Sequence, residues 1–178
     1  MSRMLAIVVA AVGGVLLALG LALPAIAAGI QPSTELAHAG QVKLGDRVQD
    51  GQVGWQRLDD AAMEADLHCA YYANRQRLPD GVTAMVHEGV VVRFDLGDDQ
   101  RAGPFGVRVG EREAVARARL PEDAVVSTHA YGEEPGDHYL TWRDPADGRA
   151  LRVETTAGTV GSLYWGEWDA VQLIEGCL

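Results

Sequence analysis

The sequence predicts an α+β domain in which one short helix packs on an antiparallel β-sheet meander. Three observations support this fold class. Residues 82–96 contain two β-rich runs with a Glu-Gly pair between them, and a short helical pattern lies between Gly110 and Pro121. Four further β-rich runs, separated by turn residues, then extend to residue 166. Short turns between consecutive strands favour antiparallel pairing, so we expect a meander with one helix on it.

The first β-rich pair predicts a hairpin. Val82–His87 and Val90–Leu96 are the expected strands, and Glu88-Gly89 is a two-residue turn signal. Alternate residues of a strand point to opposite faces. We therefore expect one face of the second strand to pack on a core, namely the face formed by Val90, Val92, Phe94 and Leu96.

The helix is predicted over residues 111–119. Gly110 can act as its N-cap, and Pro121 ends it. Glutamates in its first turn and arginines in its last turn complement the helix dipole. The narrow apolar stripe that we expect to lie on the sheet consists of Ala114, Val115 and Ala118.

Four strands are predicted after the helix, in the runs "AVVSTHAY", "HYLTWRD", "RALRVETT" and "TVGSLYWG". Turn residues at 133–136, 145–148 and 157–158 separate them. The segments "MVHEGVVVRFDL" and "VETTAGTVGSLYW" share a strand, X-Gly turn, strand outline. This shared outline predicts two related halves.

The N-terminal residues predict export. Arg3 precedes a long apolar run, and the small residues Ala25 and Ala27 occupy the usual cleavage spacing, so residues 1–27 read as a signal peptide. The apolar run is almost long enough to span a bilayer, which leaves an uncleaved anchor as the alternative. Residues 28–54 are expected to form a flexible lead-in, and 55–178 a single domain. The expected location is periplasmic or secreted, with no membrane span after cleavage.

The charge of the chain is strongly acidic. The formal net charge is -10 at pH 7. Nucleic acids and anionic lipids are recognised by clustered Lys and Arg, so neither is an expected partner. The acidity indicates either solubility alone or a face that meets a basic partner.

The two cysteines of the chain, Cys69 and Cys177, predict a disulfide. An even count in an exported protein favours pairing, and two buried thiols are the alternative. His68 lies beside Cys69, but further ligands at suitable spacing are lacking, so we predict no metal site. No cofactor is expected.

The glycine-rich stretch at 103–121, "GPFGVRVGEREAVARARLP", resembles a phosphate-binding loop in outline only. A P-loop ends in Gly-Lys-Ser/Thr, whereas Glu111 follows Gly110 here. Glutamates in the first helical turn would also repel a phosphate. We predict that these glycines turn the chain and bind no nucleotide.

Catalytic residue patterns are sparse. The serines of the expected mature chain lie outside any G-x-S-x-G sequence. Ser127 and His129 would point the same way on a strand, but an orienting carboxylate and an oxyanion site are not evident. We predict no catalytic residue. A small secreted hydrolase or lyase that uses His129 or His138 with an acid is the alternative.

The C-terminal third is rich in aromatic residues, and two interpretations of them remain open. The rings complete the core of a small domain, or they form an exposed patch that recognises protein or sugar. In the second case the binding residues are Trp142, Tyr164, Trp165 and Trp168.

The stretch "GVRVGEREAVARARLPED", followed by a meander, resembles a known exported module. Two glycines enter a short helix, and antiparallel strands follow. This pattern is similar to that of the outer-membrane-assembly lipoprotein BamE and of β-lactamase inhibitory protein, and the resemblance covers residues 103–178. Gly106 and Gly110 match the entry glycines, whereas Arg112 stands where Ser or Thr usually caps, and no Cys is available for lipidation.

The resemblance implies a layered α/β binding module and no particular ligand. Together with the signal peptide and the sparse catalytic inventory, it predicts an exported non-enzymatic binding or envelope-support module. The expected partner is a protein of the cell envelope. A secreted hydrolase that the chain inhibits is the alternative partner.

Overall fold

The structure, a computed structural model, describes residues 33–58, 68–97 and 101–177. Most of the regular structure is antiparallel β-sheet, with few helices. The expected signal peptide, residues 1–27, lies outside the described residues. A two-stranded ribbon consists of β1 (His38–Ala39) and β2 (Val42–Lys43). The main sheet contains β3 (Gln56–Arg57), β4 (Cys69–Ala73), β5 (Val82–His87), β6 (Val90–Leu96), β7 (Val125–Thr128), β8 (His138–Arg143), β9 (Ala150–Thr156) and β10 (Thr159–Gly166).

The eight strands of this sheet are ordered β3-β4-β5-β6-β10-β9-β8-β7. Each half is a four-stranded meander, and the last strand of each meander lies at the centre of the sheet. The pairing of β6 with β10 joins the halves. The predicted hairpin and the four strands after the helix are all present, with ends within a few residues of those expected.

The register of the two central hairpins is the same. Val82 pairs with Leu96 in the first half, and Leu151 pairs with Trp165 in the second, 69 positions further along in both strands. The same shift relates every pair of β5 and β6 to a pair of β9 and β10. Asp95 and Tyr164, which pair with each other across the halves, are themselves equivalent under this shift.

A β-bulge at an equivalent position interrupts both hairpins. Val92 is the extra residue of β6, and Gly161 is the extra residue of β10. The expected face of β6 is wrong at the bulge, because the extra residue reverses the alternation of side chains between the two faces there. Val91 joins the core with Phe94, and Val92 packs instead on the opposite side of the sheet.

The main core lies on one face of the sheet. Its fully buried residues include Val91, Phe94, Leu151, Val153 and Leu163. This face is covered by segments that precede or connect the strands, among them residues 36–48 and 105–120.

Residues 33–54 differ from the expected flexible lead-in. Leu36, Val42 and Val48 are buried and belong to the main core. These apolar residues are spaced widely among Gly, Gln and charged residues, so the composition of the segment hides its role in the core.

The described residues contain two short α-helices, α1 (Glu113–Arg119) and α2 (Trp168–Gln172), besides two 3₁₀ turns. The N-cap of α1 is Arg112 rather than Gly110, because the chain from 110 to 113 is held on the β9–β10 hairpin. The backbone N–H of Gly110 donates to Val160 at 2.8 Å, and that of Glu113 donates to Gly158 at 2.8 Å. The later start changes the buried stripe. Ala116 is the buried residue of α1, whereas Ala114, Val115 and Ala118 are exposed.

Candidate binding surface

The face of the sheet opposite the main core carries polar and aromatic side chains. The middle of this face is covered by the C-terminal residues 168–177, which we call the tail; its helix packs on β6, β9 and β10, and Cys177 lies on β4. The tail includes α2 and ends in the disulfide. Two smaller apolar clusters lie beneath it, one around Met85 and the other around Val171.

The predicted disulfide between Cys69 and Cys177 is present. The Cα atoms are 5.3 Å apart, and the bond closes a sequence separation of 108. It joins the first residue of β4 to the end of the tail. In the chain-entropy account, closing so long a loop stabilises by roughly 4 to 5 kcal/mol.

Arg93 of β6 holds the tail through hydrogen bonds from its guanidinium group. Its guanidinium is almost fully buried, with 3% of the side chain exposed. Nη1 donates to the carbonyl oxygens of Ala170 at 3.0 Å and Leu173 at 2.6 Å. These carbonyls, which also accept from the backbone N–H groups of Leu173 and Gly176, lie at the C-terminal end of α2, where a cation is favoured.

The remaining contacts of Arg93 hold it in place. Nε donates to both carboxylate oxygens of Asp95, at 3.1 and 3.0 Å, and Nη2 donates to the hydroxyl of Tyr71 at 3.1 Å. The guanidinium lies 3.9 Å from the ring centre of Tyr164. Burial raises the pKa of Asp95, and the adjacent Arg93 opposes that rise. The charge of the buried arginine is thus balanced within the sheet.

The second half carries a different network. Glu154 of β9 accepts hydrogen bonds from Ser162 at 2.8 Å and from the hydroxyl of Tyr164 at 2.9 Å. Burial, with Glu154 nearby, raises the pKa of Tyr164, so this phenol stays protonated. Arg152 donates to Thr141 at 3.1 Å and reaches the tail through Gln172 at 2.7 Å.

The outer part of this face is accessible. We define the open face as the side chains on the second half that the tail leaves at least partly exposed, namely Val125, Ser127, Thr141, Glu154 and Ser162. Val125 is 63% exposed and adds apolar area to this otherwise polar surface.

The loop between β7 and β8 borders the open face. We call it the aromatic loop, because it carries His129 and Tyr131. The ring of His129 stacks on that of Tyr139, with centres 4.4 Å apart. Tyr131 is 64% exposed and donates a hydrogen bond to Glu175 of the tail. Leu173 of the tail is also exposed. The border of the open face thus combines exposed apolar surface with polar groups, as protein-recognition surfaces do.

The predicted aromatic patch is not formed. Trp142 and Trp165 are buried in the main core, where the former packs edge-on against Phe105 and the latter against Phe94. Their indole N–H groups are satisfied, by Asp123 at 2.8 Å and by the carbonyl of His38 at 3.3 Å. Both rings therefore complete the core, which was the other interpretation of the sequence.

Tyr164 and Trp168 lie on the opposite side of the sheet from these two rings. Tyr164 is buried beneath Arg93. Trp168 begins α2, is partly exposed, and lies under the guanidinium of Arg143 with 4.7 Å to the ring centre. Since neighbouring strand residues face opposite ways, Tyr164 and Trp165 could not share a patch.

The two candidate histidines do not share a site. His138 Nδ1 lies 2.8 Å from Glu113 of α1, whose carboxylate lies 3.3 Å from the buried hydroxyl of Thr155. His129 belongs instead to the aromatic loop. A histidine oriented by a carboxylate is one part of a hydrolase triad, but the single hydrogen of the Thr155 hydroxyl has its nearest acceptor in the backbone carbonyl of Gly136, at 2.8 Å.

The glycine-rich loop lies against the core. A Cβ on Gly103 would approach Leu163 Cδ1 to 2.2 Å, so this glycine allows the loop to pack closely. Among the described residues, no cluster of three or more metal-ligating side chains occurs. Within the same residues, no helix is long and apolar enough to cross a membrane.

Comparison with protein families, curated proteins and solved structures finds no match to this chain. The surface must therefore be interpreted from its own chemistry.

Sequence reasoning missed Arg93 and Asp95. These residues have opposite charges at positions i and i+2 of one strand, so their side chains share a face, and this signal was available. That the face is covered by the tail follows only from the position of Cys177.

Proposed function

We propose that this chain is an exported, non-enzymatic binding module that recognises a protein partner through its open face. The observation that carries the proposal is the unequal cover of the polar face. The disulfide-linked tail covers the middle of this face, where α2 packs on β6, β9 and β10, while side chains of the outer strands β7 and β8, such as Val125 and Thr141, stay accessible. Exposed apolar groups beside a rigid polar surface favour protein recognition.

Export is supported by the disulfide, since such bonds persist in oxidising compartments such as the periplasm or the extracellular space. The cleaved N-terminal signal and the periplasmic or secreted location are parts of the same proposal. We also infer that α1 forms a second layer on the core face, since Ala116 is buried among core residues. This layered arrangement is the one that the resemblance implies.

A binding role is favoured over catalysis by the pairing of the charged groups. Asp95 is occupied by Arg93, and Glu154 by Ser162 and Tyr164. Carboxylates that are already saturated by protein donors position a surface more readily than they transfer protons.

The test is affinity capture with the full chain on envelope and secreted fractions of the source cells. We expect a protein that is retained by the native chain and lost with the double variant Val125→Glu, Tyr131→Ser. Val115→Glu is the matched control, because it places the same charge on α1, where Val115 is 39% exposed. Equal retention by the native chain and the double variant contradicts the proposal. A secreted hydrolase as the retained protein would identify the chain as an inhibitor.

A small hydrolase is a second candidate, favoured only by the contact of His138 with Glu113. The double variant His129→Asn, His138→Asn tests it on a panel of ester, peptide and glycan substrates. Hydrolysis by the native chain that this variant abolishes would replace the binding proposal.

A further inference from the structure

The outer edge of the sheet at β7 offers backbone groups for pairing. β8 is the sheet neighbour of β7, and no other described strand pairs with it. The N–H of His129 donates to Asp137 at 2.9 Å, which fixes the pair 129/137 as hydrogen-bonded. Because bonded and non-bonded pairs alternate in an antiparallel ladder, Ser127 and Val125 also bond to β8. The peptide groups of Val126 and Thr128 therefore point away from the sheet.

The residues of β7 lack the usual protection of an edge strand. Natural edges are blunted by Lys, Pro or bulges, whereas β7 reads Val-Val-Ser-Thr and pairs with β8 in continuous register. Three of its four residues are β-branched, which favours the extended conformation. Val125, Ser127 and Thr128 are exposed.

Acidic residues flank this edge at both ends. Glu122 and Asp123 precede β7, and Glu133 and Glu134 follow it, all four exposed. The nearby Arg119 pairs with Glu111 at 3.5 Å, so part of the neighbouring positive charge is engaged. An edge of four residues spans roughly 13 Å, so an extended segment that fills it places its own flanks beside both acidic pairs.

From the outward peptide groups and the acidic flanks, we propose that β7 accepts an extended segment of a partner protein as a ninth strand, with Lys or Arg on both sides of a β-branched centre. Backbone pairing supplies the affinity, and the flanking charges supply selectivity. This edge consists of the outward peptide groups of Val126 and Thr128, whereas the open face consists of side chains, among them those of Val125 and Ser127 on the same strand, and pairing at the edge does not depend on the function proposed above.

A second copy of the chain is a poorer occupant. Antiparallel pairing of β7 with the β7 of another copy would bring Glu122 and Asp123 of one copy towards Glu133 and Glu134 of the other. Like charges at this separation repel, and the net charge of -10 adds to the repulsion. A basic segment removes this repulsion.

The experiment measures binding of labelled peptides to the full chain by fluorescence anisotropy. The probe is a peptide with a Val-Thr-Val-Thr centre between two lysines on each side. One control peptide carries N-methyl groups on alternate backbone amides, and another replaces the lysines by glutamates. We expect the lysine peptide to bind at least about tenfold more tightly than either control, with weaker binding as salt rises. In amide exchange, it should protect Val126 and Thr128.

Two variants of the chain sharpen the result. Val126→Pro removes an outward N–H that β8 does not use, and proline is tolerated on the open side of an edge strand. It should lower the affinity at least about tenfold. Glu133→Lys, Glu134→Lys should weaken the lysine peptide and strengthen the glutamate peptide. Val115→Ala on α1 is the control that should change neither.

Three results would overturn this inference. The first is equal binding of the methylated and unmethylated peptides. The second is protection of Val126 and Thr128 in the chain alone at low concentration, which would place one of its own segments on the edge. The third is protein association that depends on concentration and is abolished by Val126→Pro, which would identify a second copy as the occupant.

Discussion

The two meanders of the sheet share one register but use their polar faces differently. On the core face equivalent positions keep apolar side chains, as Val82 and Leu151 do. On the polar face Arg93 of the first half is replaced by Ser162 in the second, and Asp95 by Tyr164. Register and core thus preserve the architecture, while the opposite face is able to differ. The first half uses that freedom to anchor the tail through Arg93 and the disulfide, and the second leaves the side chains of its outer strands exposed.

The largest expected effect comes from removing the disulfide. The variant Cys69→Ser, Cys177→Ser should lose roughly 4 to 5 kcal/mol of unfolding free energy, because the unfolded chain regains the freedom of a loop of more than 100 residues. Urea unfolding of the variant and of the native chain measures the difference. A loss below about 1 kcal/mol would show that the first half holds its tail without the covalent bond.

Replacement of Arg93 should be the next largest effect. Arg93→Ala leaves the carboxylate of Asp95 without its donor and leaves the carbonyls of Ala170 and Leu173 with a backbone donor alone, at a cost of about 3 to 5 kcal/mol. The equivalent change in the second half, Ser162→Ala, removes one hydrogen bond to Glu154 and should cost about 1 kcal/mol. Equal losses in urea unfolding would contradict the unequal roles of the two halves.

A pair of equivalent glycines at the ends of β6 and β10 gives a third comparison. A Cβ on Gly166 would approach the carbonyl oxygen of Val92 to 2.4 Å, whereas a Cβ on Gly97 meets nothing within 4 Å. Gly166→Ala should therefore destabilise by about 3 kcal/mol through overpacking against backbone. Gly97→Ala should change the unfolding free energy by less than about 0.5 kcal/mol. Similar midpoints of thermal unfolding for the two variants would mean that the centre of the sheet adjusts.

The smallest expected effect concerns acid stability of the second half. Asp137 accepts backbone N–H bonds from Ala157, Glu134 and Glu133, at 2.7, 3.0 and 3.1 Å, and these donors lower its pKa. A folded pKa below the unfolded one gives stability that is present above pH 4 and is lost as the pH falls through the folded pKa. Asp137→Asn should flatten the decline of unfolding free energy below pH 4. An unchanged slope in urea unfolding across this range would count against the role of Asp137.

The strands could be predicted from the sequence because their signals are local. The Glu88-Gly89 and Ala157-Gly158 pairs adopt positive φ values and place both hairpins correctly. The bulges at Val92 and Gly161 were not predictable in this way, because they depend on pairing between strands. The expected face of β6 was wrong at Val92 for that reason.

The surface was harder to predict than the strands. The disulfide followed from cysteine count, but the Trp142 and Trp165 patch was wrong because both rings have core partners from distant segments, Phe105 and Phe94. The tail that covers Arg93 is likewise a contact between segments about 80 residues apart in the sequence. Of these surface contacts, only the pairing of the opposite charges of Arg93 and Asp95 on one strand face could be predicted from neighbouring residues.

The central position of β10 has a consequence for biosynthesis. As the chain leaves the ribosome, the first meander emerges with one edge of β6 unpaired. The strand that pairs with this edge, β10, is made only about 60 residues later. Cys177, the second-last residue, appears later still. The free edge of β6 therefore waits for its partner while about 60 residues are made, and a holding chaperone that covers β6 should raise the yield of the correctly folded protein.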